Sequence, residues 1–148
     1  MDYTTWELFL FLKQIRLYEE GLYSTIKKQI IWTPKSNNEL VEAVNMYKNT
    51  DTKQLAIKKY YLISLWDTSN ITDMSYLFSD NTLEGTSLFN EDISLWDVSN
   101  VEDMEAMFLN CTKFNKPLNK WNVGKVKDMA YMYENCHQFN QSLETWNV

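Results

Sequence analysis

The chain is short of the residues that usually make sharp corners. Its 148 residues include three Gly and two Pro, too few for a turn-rich barrel or a collagen-like chain. Bends therefore fall to Asn, Asp and Ser, whose short side chains hydrogen-bond nearby backbone and tolerate tight turns. Two cysteines and one histidine give no zinc-ligand spacing. No nucleophile elbow, phosphate loop, dinucleotide fingerprint or HExxH pattern occurs, so an enzyme reading has no residues to rest on and no cofactor or metal is expected. Long apolar runs are missing as well. Trp6-Glu7-Leu8-Phe9-Leu10-Phe11-Leu12 is short, contains Glu7 and is followed by Lys13, which is too little to cross a bilayer. It is also a poor signal peptide, because Asp2 replaces the expected basic start and no small-residue cleavage site follows. A location inside a cell or a virus particle is the resulting expectation.

What is abundant is aromatic side chain: six Trp, nine Tyr and seven Phe, within an apolar content of 45%. A core is therefore available. Charge is divided unevenly. Residues 1–62 carry nine Lys/Arg and seven Asp/Glu, while residues 63–148 carry five and thirteen, within an overall net charge of −6. An acidic second half repels phosphate backbones, which argues against nucleic acid as a partner.

The chain up to Leu62 reads as helices. Trp6, Phe9, Leu10, Lys13 and Leu17 lie near helical spacing, and Gly21 can end that segment. Leu22 to Trp32 suggests a second helix, stopped at Thr33-Pro34 because a residue before proline avoids the helical region. Ser36-Asn37-Asn38-Glu39 fits a capping box, and Leu40, Val41, Val44 and Tyr47 supply the apolar stripe of a third helix. Thr50 or Asp51 can cap a fourth, running through Leu55 and Ile57 to about Tyr60. The divisions are an N-terminal helical segment (1–32), a helical cap (33–62) and a repeat region (63–148).

In that last region Trp recurs at Trp66, Trp96, Trp121 and Trp146, and the last three are evenly spaced. Residues 94–118 and 119–143 are identical at 11 of 25 positions, which identifies a tandem repeat. The units are 63–92, 93–117, 118–142 and a partial 143–148. The first contains five extra residues around Asp80 to Ser87. Within a unit, Leu118-x-x-Trp121-x-Val123 suggests a short strand, and Val126, Met129 and Met132-Tyr133 suggest a helix or 3₁₀ turn. One strand and one short helix per unit predict an α/β repeat, a right-handed leucine-rich-repeat-like solenoid with a helical N-terminal cap.

Stacking such units would align like residues into columns. Trp66, Trp96, Trp121 and Trp146, the methionines Met74, Met104 and Met129, and Phe89, Phe114 and Phe139 are the expected interior. Asn90, Asn115 and Asn140 form a column whose amides can satisfy backbone groups of neighbouring turns. Asp73, Asp103 and Asp128 form another. A place at helix N-termini explains it. A metal column is the alternative, weakened by the lack of glycine-rich calcium repeats. Cys111 and Cys136, one repeat apart, read as small buried thiols, with a disulfide between stacked units as the alternative. His137 falls at a turn. Outward strand positions nominate a protein-binding surface: Leu65, Leu95, Lys120 and Thr145, with Asp67, Asp97, Asn122 and Asn147 beside them.

The run Trp96-Asp97-Val98-Ser99-Asn100-Val101-x-Asp103-Met104-x-x-Met107-Phe108, followed by Phe114-Asn115-x-x-Leu118, resembles the BspA-type leucine-rich repeats of bacterial surface lipoproteins and of protist and giant-virus proteins. The similarity extends upstream through Asn38 to Val44 and Ala56 to Tyr60, covering roughly residues 34–148. It implies a leucine-rich-repeat-like solenoid used in adhesion or protein contact, with no shared catalytic site. The chain departs from the surface lipoproteins in having no secretion signal. Leu22 to Ile31 faintly resembles the opening of an F-box. The function expected is protein binding without catalysis. A structural subunit of a virus particle or other assembly is the alternative, and an F-box-like adaptor a weaker one. An open strand edge at Trp146-Asn147-Val148 predicts weak self-association.

Overall fold

The computed structural model describes residues 31–80 and 88–147. The two helices expected before Trp32, the F-box-like run and most of the insertion in the first unit lie outside the described residues.

Helix α1 (Asn37–Lys48) starts where the capping residues place it: the Ser36 hydroxyl accepts the Glu39 N–H. Glu39 reaches back to the Lys35 N–H at 2.6 Å, one residue beyond the usual capping-box partner. Leu40, Ala43, Val44 and Tyr47 are buried at helical spacing, whereas Val41 stays exposed. Helix α2 (Lys53–Tyr60) has Thr52 at its N-cap, not Thr50 or Asp51. Its Leu55 is exposed, and Ala56 and Tyr60 turn inward. Tyr61, at φ 62°, ends it. A single 3₁₀ turn, Ile63–Leu65, leads into the repeats.

The α/β solenoid expected from the sequence is not what forms. Among the described residues there is no strand, only isolated parallel bridges linking Asp73 to Asp103 and Asp103 to Asp128. Among the described residues, helix is confined to α1, α2 and the 3₁₀ turn. The Leu-x-x-Trp segment read as a strand is a turn: Trp96, Trp121 and Trp146 donate their N–H groups to the carbonyls of Ile93, Leu118 and Leu143 at 2.9–3.0 Å. The segment read as a short helix instead carries the contacts between units. Its N–H groups alternate. Met104, Ala106, Phe108 and Asn110 donate across to Asp128, Ala130, Met132 and Glu134, while Met107, Leu109 and Cys111 close turns onto Met104, Ala106 and Phe108. Met74, Tyr76, Phe78 and Asp80 reach Asp103, Glu105, Met107 and Leu109 in the same way.

Backbone conformation explains why this row is not a strand. Tyr76, Ala106 and Tyr131, at one repeat position, have φ of 56°, 49° and 58°, and Asn110 and Asn135, at another, have 62° and 60°. Each sits third in an i→i+3 turn, the position where a type II turn needs positive φ. A pleated strand needs strongly negative φ at every residue. Left-handed residues, four positions apart at Ala106 and Asn110 and at Tyr131 and Asn135, therefore shorten the chain into linked turns while still presenting every second N–H to the next unit.

The interior consists of aromatic columns. Trp66 stacks on Trp96 at 6.1 Å, and Trp121 on Trp146 at 6.4 Å. Phe78, Phe108 and Tyr133 follow one another at 5.3 and 5.6 Å, and Phe89, Phe114 and Phe139 at 5.9 Å. Each indole also donates backward: Trp96 Nε1 to the Ile63 carbonyl, Trp121 Nε1 to Ile93 and Trp146 Nε1 to Leu118. The buried indole N–H thus finds a partner in the preceding unit. At the N-terminal end Trp32 packs on Tyr60 and Trp66 at 4.6 and 4.7 Å, and its carbonyl accepts the Asp67 N–H. From α1, Lys48 Nζ donates to the carbonyls of Phe78 and Ser79 at 3.1 and 2.7 Å.

Trp121 is 3% exposed and stacks on Trp146 and Phe108, which lose that contact on truncation. Trp121→Ala should cost about 3–5 kcal/mol in urea melts, the range for deleting a large buried aromatic. A loss under about 1 kcal/mol would show that the column does not hold the stack. At Tyr131, exposed and at φ 58°, Tyr131→Val should cost about 1–2 kcal/mol, because a branched side chain fits the left-handed region badly. Tyr131→Gly should fold at least as stably as the parent. Equal stability of the two variants would mean the turn does not require positive φ.

Candidate binding surface

Of the nominated surface residues, Leu95, Asp97, Lys120, Asn122, Thr145 and Asn147 are exposed, and Leu65 and Asp67 are half-buried. They do not line strands, since none is present among the described residues. They flank the Trp turns. Three accept backbone N–H groups: Asp67, Asp97 and Asn122 take those of Ser69, Ser99 and Gly124. Such Asx turns fix the bend after each Trp without glycine. The Thr145 hydroxyl donates to the Asn119 carbonyl.

Asp73, Asp103 and Asp128 do the same work one turn later, accepting the N–H groups of Ser75, Glu105 and Ala130 at 2.8 Å. Turn formation accounts for the column without helix N-termini, which are not there. Among the described residues no group of three His, Cys, Asp or Glu side chains is placed to hold a metal. His137 is exposed.

The Asn90, Asn115 and Asn140 column runs along the surface and not through the interior: Asn90 and Asn140 are exposed and Asn115 half-buried. Its amides do satisfy neighbouring backbone. Asn90 Oδ1 accepts the Asn115 N–H and Asn115 Oδ1 accepts the Asn140 N–H, at 3.0 and 3.2 Å. Gln141 ends the column, donating to both Asn115 and Asn140 side chains. Two further amide columns escaped the sequence reading. Asn70 and Asn100 donate to the carbonyls of Pro34 and Ser69, and the third position is Lys125, which donates to Asn100 Oδ1 at 2.6 Å. Asn110 donates to the Asp80 carbonyl, and Asn135 to Asn110 Oδ1. Recurrence of Asn at 110 and 135 was visible, but its meaning depends on the positive φ there.

The interior columns loosen toward the last unit. Met74 and Met104 are buried and Met129 half-buried; Phe89 and Phe114 are buried and Phe139 half-buried; Trp146 is half-buried where the other three indoles are buried. Both cysteines are buried, and no disulfide joins them. Cys111 and Cys136 donate Sγ to the carbonyls of Phe78 and Phe108 at 3.2 and 3.0 Å. Burial pushes the Cys136 thiol up to about 11, so it stays protonated and poorly nucleophilic at neutral pH.

The surface electrostatics are local. Glu102 lies 2.6 Å from Lys127 one unit away, which holds its carboxyl below the usual range. Tyr76 donates to Glu105 at 2.6 Å, and that bond raises the phenol. No helix of the described residues is long and apolar enough to cross a membrane.

The geometry of repeated units over residues 63–147 meets an independent finding. Residues 38–148 match the family model described as Mycoplasma protein of unknown function, DUF285. The chain belongs to that family. No curated protein and no solved structure matches it.

Tyr133 departs from its column. Phe78 and Phe108 stand at its position in the other units, and its hydroxyl is buried without a partner among the described residues. Burial pushes its pKa far up the scale. An unsatisfied buried hydroxyl costs about 1–3 kcal/mol. Tyr133→Phe should therefore be neutral or stabilise the chain by about 1 kcal/mol in urea melts, and a clear loss would reveal a partner for the hydroxyl.

Proposed function

We propose that the chain is a non-enzymatic protein-binding module. Its contact surface is the flank carrying Leu95, Asp97, Lys120, Asn122, Thr145 and Asn147, bordered by Leu65 and Asp67. One observation carries the reading: positions that hold units together repeat their chemistry, while the position before each Trp, exposed at Leu95, Lys120 and Thr145, does not. Trp recurs at every turn, and an Asp or Asn follows each one, yet the preceding residue runs Leu65, Leu95, Lys120, Thr145. A uniform scaffold displaying varied side chains in register suits recognition of a protein surface, where a few anchors carry most of the energy. The resemblance of the repeat motif to BspA-type repeats supports the same reading. A location inside a cell or a virus particle accompanies it.

Asp97 and Asn122 make poor test positions, because changing them also breaks a turn. Leu95→Arg with Lys120→Glu alters the surface alone, as both side chains are exposed. Affinity capture with the double variant should recover about tenfold less partner than the parent chain, the loss of roughly 1.4 kcal/mol. Unchanged recovery would remove this flank as the contact surface.

A further inference from the structure

The two exposed leucines among the described repeat residues stand in matching places. Leu88 is 74% exposed and Leu95 48%. Leu88 precedes the buried Phe89, and Leu95 precedes the buried Trp96. Both of those rings pack on Phe78, at 4.1 and 5.6 Å, so the stretch from Leu88 to Leu95 crosses one face of the stack. One repeat later the same two positions hold Lys113, before Phe114, and Lys120, before Trp121. Their neighbouring rings pack on Phe108 in the same way, at 4.1 and 6.5 Å. A pair of leucines is thus followed, one repeat along the stack, by a pair of lysines.

The lysines are uncommitted. Both are exposed, and neither has an ion pair or a side-chain hydrogen bond among the described residues. Other lysines are engaged: Lys53 pairs with Glu91, Lys127 with Glu102, and Lys125 donates to Asn100. Carboxylates of the face lie beside the leucines, where Asp92 and Asp97 accept the N–H groups of Ser94 and Ser99. Pro117 and Asn122 stand at the matching places beside the lysines. Apolar and negative groups therefore share one repeat, and the positive pair belongs to the next.

Exposed apolar side chains set in a polar rim mark an interaction site, and the charges beside them choose the partner and its orientation. We infer that this face takes an acidic amphipathic helix of a partner protein, its apolar residues on Leu88 and Leu95 and its carboxylates on Lys113 and Lys120. The inference rests on the protein-binding reading, widens the Leu95 flank to Leu88 and Lys113, and names the partner's chemistry. Spacing selects a helix. Adjacent repeats lie 5.9 Å apart at Phe89 and Phe114; four helical residues rise about 6.0 Å, whereas two strand residues span about 6.4–6.8 Å. The partner pattern is an apolar residue with Glu or Asp four positions later. An anionic membrane suits the face less well, because the net charge of −6 repels the chain from a negative surface.

The test titrates the full chain, labelled at its leucine methyl groups, with a synthetic helical peptide of about five turns in which each Leu is followed four residues later by Glu. The same peptide with Lys for Glu is the second probe. The Glu peptide should shift the Leu88 and Leu95 methyl signals and bind about tenfold more tightly than the Lys peptide. Lys113→Glu with Lys120→Glu should reverse that preference, with urea melts matching the parent chain. Equal binding of the two peptides by the parent, or no shift at Leu88 and Leu95, would overturn the inference. So would dimerisation through these leucines, or binding to phosphatidylserine vesicles that the same double variant abolishes. If Leu88→Arg with Lys113→Glu leaves partner recovery unchanged while Leu95→Arg with Lys120→Glu lowers it, the widened face falls and the flank reading stands.

Discussion

Everything in the repeat region depends on one row of backbone hydrogen bonds, made by every second N–H of a unit to the carbonyls of the next. Buried backbone groups must be paired, and this row pairs them without a pleated strand. The condition is that the residues between donors curl back into turns, which in turn forces positive φ at Tyr76, Ala106 and Tyr131. Left-handed backbone costs a non-glycine residue about 1–2 kcal/mol, so the row must return more than it consumes. The aromatic columns beneath it, spaced at 5.3–5.9 Å in the two Phe series, provide that return through burial. Backbone pairing sets the register, and ring stacking makes the register favourable.

The insertion in the first unit shows how strictly the register is kept. Phe78 and Phe89 are eleven positions apart, whereas Phe108 and Phe114, or Tyr133 and Phe139, are six apart. The ring separations are nevertheless 4.1, 4.1 and 4.3 Å. Five extra residues leave both the hydrogen-bonded row before them and the Phe pair around them unchanged. Loop length is thermodynamically cheap to vary, while a shift of the row would strand several buried backbone groups at once.

This division also explains what could be read from the sequence. Side-chain columns were legible, because identical residues at a fixed period must meet when units stack: Trp121 with Trp146, Phe114 with Phe139, Asn115 with Asn140. The cap at Ser36 and the inward stripe of α1 were legible through the local chemistry of helix starts. Secondary structure within the units was not. Leu-x-x-Trp-x-Val imitates a strand, and Val126, Met129 and Met132 imitate a helix, yet both are turns. The decisive property is left-handed backbone at Tyr76, Ala106 and Tyr131, residue types with no preference for it. No propensity announces that, since tertiary pairing imposes it. The role of the Asp column failed for the same reason: a carboxylate before Met suits a helix start or an Asx turn, and only the backbone path separates the two.

The same logic separates scaffold from surface. A position that pairs with its neighbours in both directions accepts few substitutes, and where this chain does substitute one, the replacement keeps the contact. Lys125 replaces Asn and still reaches Asn100; Thr68 stands where Val98 and Val123 follow, and its hydroxyl reaches the Asp97 carbonyl. Tyr133 is the exception, because its added hydroxyl gains nothing inside the described residues. The positions before each Trp differ from unit to unit, Leu65, Leu95, Lys120 and Thr145, while the Trp beside them is kept, which is the pattern expected if the proposed contact surface diversifies there.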